Sequence, residues 1–380
     1  MRKLSILLGI FLIICVISAQ AINFSRVNVA WQYDVNFDVR MIHRVAKSEE
    51  GNIVFLKVLS DSLSGWEFEF LVQDGYESET HRIIQLSNVD TLINVEGQVL
   101  IKASLPNIEE NLLVIKFFKP EKFLYYDISL KIGSLSYPSV YPVNENGIPI
   151  LENYINRSGH TWVGNESFLA MQYEDAFLPA DPPMADMKPL APQVNLDSSF
   201  VFDREANFKE NCFYTVRKDS LASVGVTLLN TPPYFPGYRK LVELIESMFY
   251  LMSEQEKKSI LKSKNPKQSF DSFWMNTYAT KSRARNAIRK YYNLVERSNK
   301  LFTDFKPGWK SDRGMMYIVF GTPDEVYRTG NSEEWYYDEG SAFEFTIIST
   351  FFAPKTYTLR RNKDLEEKWF TQIAAMRRGI

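Results

Sequence analysis

Gly308-Trp309-Lys310-Ser311-Asp312-Arg313-Gly314, running into Met315-Met316-Tyr317-Ile318-Val319-Phe320 and then Gly321-Thr322-Pro323-Asp324, decides the reading of the C-terminal part of the chain. Two glycines bracket a polar segment with an acid and a base side by side. The short apolar run after it reads as a buried strand. Thr322-Pro323-Asp324-Glu325 reads as a helix start, with threonine as cap and proline in the first turn. Upstream of this stretch the apolar spacing is helical. Leu241, Leu244, Ile245, Met248 and Met252 share one face, and Ser253-Glu254-Gln255-Glu256 has the capping-box pattern, opening a second helix with Ile260 and Leu261. A third helix spans roughly Lys281 to Phe302 with Ile288, Tyr291, Val295 and Phe302 as its buried stripe, and Lys306-Pro307-Gly308 ends it. Downstream come short strands at Trp335 to Tyr337, Phe343 to Phe351 and Tyr357 to Arg361, then a helix from about Asp364 to Arg377. Residues 236–380 are therefore expected to form an α+β domain.

Further towards the N-terminus the period falls to two. Trp66, Phe68, Phe70 and Val72 point one way, with Glu67, Glu69 and Leu71 between them. Similar strands are expected at Val39 to Val45, Ile53 to Leu59, Val99 to Leu105, Leu112 to Phe118 and Tyr125 to Ile132. Short strands at near-regular spacing with no helix between them predict an immunoglobulin-like β-sandwich over 22–133. Ser167 to Tyr173, Ser199 to Phe202 and Cys212 to Arg217 suggest a second β-rich unit over 134–235, interrupted by a proline-rich loop at 179–192.

Several separated pieces of the C-terminal part occur in an order that resembles the GWxTD domain of secreted bacterial proteins. They are Phe273-Trp274, the helix ending in Asn299 to Phe302, Gly308-Trp309, Asp312-Arg313-Gly314, Gly321-x-Pro323-Asp324 and Trp335-Tyr336-Tyr337. The resemblance implies an envelope protein and no established activity. Ser311 stands where the family name has threonine, which keeps the hydroxyl. An expected Asn-Glu pair is Asn286-Ala287 here, so a family glutamate is missing, which favours a binding role over a catalytic one.

The candidate functional residues are Trp309, Ser311, Asp312, Arg313, Pro323, Asp324, Trp335 and Tyr337. Asp312 and Arg313 could present a carboxylate and a guanidinium at a cleft, for acid-base work or to grip an anion. Alternatively Ser311 and Asp312 cap the local turn while Arg313 pairs with a nearby acid. Trp309 is either a core anchor or a stacking platform, and Trp335, Tyr336 and Tyr337 are either packed or displayed to a ligand. The histidines, His43, His81 and His160, lack metal-ligand spacing, and the chain shows neither a Gly-x-Ser-x-Gly elbow nor a phosphate loop. No cofactor is expected.

Residues 1–21 carry Arg2 and Lys3, an apolar run from Ile6 to Ile17 and Ala19-Gln20-Ala21, which predicts a cleaved export signal and a mature chain without a transmembrane segment. Cys212 then remains as the single cysteine. Without Arg2 and Lys3 the charge is 42 basic against 46 acidic side chains, about −4, which gives no reason to expect nucleic acid. The basic run Lys281 to Lys290 reads as a solvated helix face. These features predict a non-catalytic binding or scaffold component of an envelope assembly, in the periplasm or at the outer membrane, with other envelope proteins as partners. An extracytoplasmic hydrolase or transferase using Asp312 and Arg313 is the alternative, and a carbohydrate-binding protein is a third.

Overall fold

The computed structural model describes residues 23–380 except 62, 79, 87, 123, 134–135, 157–159, 175–176, 187–194, 338–339, 351, 354 and 380. The export signal expected over 1–21 and part of the expected proline-rich loop, 187–192, lie outside the described residues.

The molecule is α+β, with β-sheets in its N-terminal part and helices with short strands in its C-terminal part. The first strands are β1 (Val39–Lys47), β2 (Gly51–Ser60), β3 (Glu67–Gln73), β4 (Arg82–Ile83), β5 (Val89–Val95), β6 (Gln98–Pro106), β7 (Leu112–Lys119) and β8 (Leu124–Lys131). They form two four-stranded antiparallel sheets in the orders β1-β2-β6-β5 and β4-β3-β7-β8. One apolar core joins the two: Val54, Leu56, Val58 and Ile101 from the first sheet meet Phe70, Val72, Leu113, Ile115 and Phe117 from the second. The alternation read at Trp66, Phe68, Phe70 and Val72 does place these side chains in that core. Strand β2 looks uniformly apolar because both of its faces are covered. Its other face, with Phe55, packs against Leu151, Ile148 and Tyr141. Strand β5 has no counterpart among the sequence expectations, since it is an exposed edge strand carrying Asp90, Thr91 and Asn94.

Next come β9 (Tyr141–Val143), β10 (Tyr154–Ile155), β11 (Thr161–Val163), β12 (Phe168–Glu174), β13 (Leu196–Phe202), β14 (Cys212–Arg217) and β15 (Val226–Asn230). Five of these form a sheet in the order β10-β15-β14-β12-β13, and β9 pairs with β11. One face of the sheet buries Trp162, Phe168, Tyr214 and Val216. The other carries Tyr173, Phe213 and Leu229 against Phe305 and Phe352 from the C-terminal part.

The helices are α1 (Leu241–Ser247), α2 (Glu254–Leu261), α3 (Pro266–Tyr278), α4 (Lys281–Phe302), α5 (Asp312–Phe320) and α6 (Glu366–Arg378). Helix α4 has the bounds that its stripe predicts, and α2 opens with the Ser253/Glu256 capping box. The basic side chains Lys281, Arg283, Arg285, Arg289 and Lys290 are exposed along α4. Helix α3 goes unread in the sequence, although Asn265 caps it and Pro266 occupies its first turn.

Two expectations are corrected in the decisive stretch. Met315 to Phe320 is helix α5, not a strand. Its residues Met315, Met316, Tyr317, Ile318 and Val319 are at most 2 % exposed, and a helix buried on every side has no polar face to print a period of 3.6. Thr322 to Glu325 does not start a helix. A turn follows Gly321, and Glu325 begins strand β16 (Glu325–Arg328), which pairs with β17 (Ser332–Tyr337), then β18 (Ser341–Ile348) and β19 (Thr356–Leu359) in an antiparallel sheet. Val326, Trp335, Phe343, Phe345 and Leu359 share a core with α4 and α5.

The N-terminal segment ties the parts together. Phe24 packs on Leu71 and Tyr76 of the paired sheets, whereas Val29, Ala30 and Tyr33 enter the C-terminal core. The Val29 N–H donates to the Val326 carbonyl at 2.9 Å, and Asn28 Oδ1 accepts the Val326 N–H at 3.0 Å. Trp31 turns the other way, towards Phe37 and Tyr126.

Candidate functional site

Helix α4 builds the floor on which the Gly308 to Gly314 segment lies. Asn299 is fully buried near its end. Its Oδ1 accepts the Trp309 N–H at 3.1 Å and its Nδ2 donates to the Pro236 carbonyl at 2.8 Å. Thr303 Oγ1 donates to the Asn299 carbonyl at 2.6 Å and accepts the Gly308 N–H at 3.0 Å. Both glycines of the segment serve close approach. A Cβ on Gly308 would lie 1.9 Å from the Ser298 carbonyl oxygen, and one on Gly314 would lie 1.8 Å from that of Gly308. Three stretches of backbone therefore touch with no side chain between them.

Trp309 is 3 % exposed. Its Nε1–H donates to Tyr238 Oη at 2.8 Å, and its carbonyl accepts from Tyr250 Oη at 3.2 Å. Ser311 is the N-cap of α5: its Oγ accepts the Gly314 N–H at 3.0 Å and donates to the Gly308 carbonyl at 2.7 Å. Asp312 does not cap its own turn. Its Oδ2 accepts the Leu359 N–H at 2.8 Å, and its Oδ1 pairs with Arg361 at 2.7 Å. Arg361 also donates to the Asp181 carbonyl at 2.9 Å, tying the proline-bearing crossing to the same point.

Arg313 lies over the Tyr357 ring at 3.4 Å and near Phe302 at 4.9 Å. Its NH1 donates to Tyr33 Oη at 3.1 Å and lies 3.6 Å from Glu333. Glu333, fully buried, is the hub of this cluster. Its Oε2 meets Arg328 Nε at 2.5 Å, its Oε1 accepts the Trp335 Nε1–H at 2.7 Å, and Tyr33 Oη donates to it at 2.8 Å. Arg328 also donates to Tyr33 Oη at 2.6 Å and to Gln32 Oε1 at 2.9 Å. Burial pushes the Glu333 carboxyl up, but Arg328 and Arg313 outweigh it and the net shift is downward.

The rest of the candidate set is divided. Trp335 is fully buried, with Tyr33 and Phe345 each 5.0 Å away between ring centroids. Tyr337 is half-buried and donates to the Gly321 carbonyl at 3.2 Å. Pro323 is buried, while Asp324 is exposed, with its N–H donating to the Tyr336 carbonyl at 3.0 Å. Ser311, Asp312 and Arg313 are thus adjacent in sequence but serve different neighbours. Sequence reasoning missed Tyr33, Arg328, Glu333 and Arg361. The one signal available was Arg328 and Glu333 flanking the turn from Thr329 to Ser332, a spacing that sets them opposite each other across a hairpin.

Among the described residues no cluster of three or more His, Cys, Asp or Glu side chains could hold a metal ion, and no helix is long and apolar enough to cross a membrane. Residues 212–378 match the family model of the GWxTD domain, so the match begins at β14 within the five-stranded sheet and runs to the end of α6. No curated protein and no solved structure matches the chain.

Proposed function

We propose that this chain, which carries a GWxTD domain over 212–378, is a non-catalytic binding or scaffold component of an assembly in the bacterial cell envelope, exported to the periplasm or the outer membrane. The observation that carries this reading is the internal use of the motif's polar groups. Both carboxylate oxygens of Asp312 are engaged, by the Leu359 N–H and by Arg361, and Arg313 is enclosed between Tyr357 and Phe302. A catalytic carboxylate has to reach a substrate proton, and Asp312 would have to leave the strand β19 backbone to do so. Trp309 and Trp335 are enclosed, so neither offers a ring face to a sugar. The motif acts as the joint that fixes α5 on α4 and β19. The faces left for partners then belong to the β-rich parts, which we divide as 22–133 and 134–235, the match to the GWxTD domain reaching back from the part after 236 into the last strands of the second. We read the first unit as an immunoglobulin-type sandwich: the orders β1-β2-β6-β5 and β4-β3-β7-β8 correspond to A-B-E-D and C′-C-F-G with C′ at the edge.

Affinity purification of the tagged chain from gently solubilised native envelope, followed by mass spectrometry, tests the proposal. Envelope proteins in fixed ratio to the chain are expected. Recovery of the folded chain alone would turn the assignment towards the enzyme or carbohydrate readings.

A further inference from the structure

Strand β19 is preceded by Lys355. The alternation along β19, continued one residue back, sets Lys355 and Tyr357 on the same side as Leu359. Phe345 pairs with both Glu333 and Leu359, so that side is also the side of Glu333. Lys355 therefore rises beside Tyr357, next to the Arg313, Arg328 and Glu333 cluster. The paired sheets close over this place from the opposite side. Lys131 Nζ donates to the Gly330 carbonyl in the β16–β17 turn, and the His43 ring lies close enough for the charges of Lys355, Arg328 and Arg44 to act on it. Tyr76 and Tyr137 lie within the field of Tyr357.

The charges around Lys355 do not balance. Arg328, Lys131 and Arg313 share its surroundings with one carboxylate, Glu333, and the oxygens of Glu333 are already taken by Arg328, Tyr33 and Trp335. Asp304, nearer Arg313, is pushed towards its protonated form by burial. No hydrogen bond or ion pair joins Lys355 to another described residue. Positive charges crowded together and partly withdrawn from water are normally paired with anions. Solvent reaches the place, since His43 is exposed and Lys131 and Lys355 are half-buried. We propose that this recess between the N-terminal sheets and the C-terminal sheet binds a small oxyanion with two or more negative charges, a phosphate or a di- or tricarboxylate, held by Lys355 and Lys131 in the field of Arg328 and Arg313.

The proton linkage has a definite sign. Burial, then Arg328 and Lys131, lower the Lys355 pKa to about 7, with Glu333 opposing and Arg313 adding to the shift. Between that value and the ordinary 10.5 the unfolded chain holds a proton that the folded chain has released, so without anion the stability rises as pH climbs through this window. A bound anion favours the charged amine and raises its pKa again. Binding near pH 7.5 therefore takes up a proton.

Isothermal titration of the full chain with sodium phosphate and, separately, with succinate, at ionic strength matched by sodium chloride, tests the site. Saturable binding is expected, with an observed heat that changes with the ionisation enthalpy of the buffer. Lys355→Met should weaken it by about tenfold or more, while Lys290→Met on the exposed face of α4 leaves it unchanged. Saturation by phosphate alone would assign a phosphoryl ligand, and saturation by succinate would assign a carboxylate. Lys355→Met removes an uncompensated charge, so it should fold and be more stable than the parent chain at pH 6 without anion. Binding by neither anion, or equal binding to the Lys355→Met chain, would overturn the proposal.

Discussion

Asp312 accepts a hydrogen bond from the Leu359 N–H and an ion pair from Arg361 while only 9 % exposed. Replacing it with asparagine keeps the shape and one acceptor but leaves the Arg361 guanidinium without its anion. Removing one partner of a buried pair is costly, and Asp312→Asn should lower stability by about 2–4 kcal/mol. Urea unfolding would show this as a lower midpoint at unchanged slope. An unchanged midpoint in a chain that has lost its biological activity would restore the carboxylate to a chemical role. At this scale the sequence was half legible. Ser311, three residues before Gly314, could be read as a cap because the contact is local. The partners of Asp312 and Arg313 come from residues 359, 361, 333 and 33, and no local spacing records such meetings.

Helix α5 shows where periodicity fails. A run of six apolar residues fits a buried strand as well as a buried helix, and length does not separate them. What settles it is the cap before the run and the glycine inside its first turn, which lets α5 rest on the Gly308 carbonyl. Gly314→Ala should cost about 2 kcal/mol or more, because the added methyl meets rigid backbone at 1.8 Å and not a movable side chain. Ser311→Ala, which removes only the cap, should cost about 1 kcal/mol. Thermal unfolding of the two variants side by side checks the order, and equal losses would count against the close-packing account. The amphipathic helix α4 was legible to its ends because one of its faces stays in water. Strand β5 and helix α3 were hidden, the first by an exposed polar surface and the second by a sparse stripe of Phe270, Trp274 and Tyr278.

The proline-rich loop read at 179–192 and the crossing 232–237 that leads into α1 are both fastened in their described residues. Ala180 is buried and its N–H donates to the Lys310 carbonyl at 3.0 Å. Phe235 is 4 % exposed, and Asn299 holds the Pro236 carbonyl. By contrast Leu221, in the turn between β14 and β15, is 92 % exposed. Brief chymotrypsin treatment should therefore cut after Leu221 before it cuts after Tyr234. An early cut at 234–235 would mean that this crossing opens far more easily than its contacts suggest. The β-rich and helical halves were legible as classes, whereas the fastening of one to the other was not, because it depends on Val29 and Tyr33 reaching strands about 300 residues later, where Tyr33 meets Glu333. That reach gives the molecule a particular load path. Tension applied between residue 24 and α6 would not first stretch the paired sheets like beads on a string. It would pull on the short N-terminal strap where this is seated against β16, and the sheets in between would stay slack until the strap tore free.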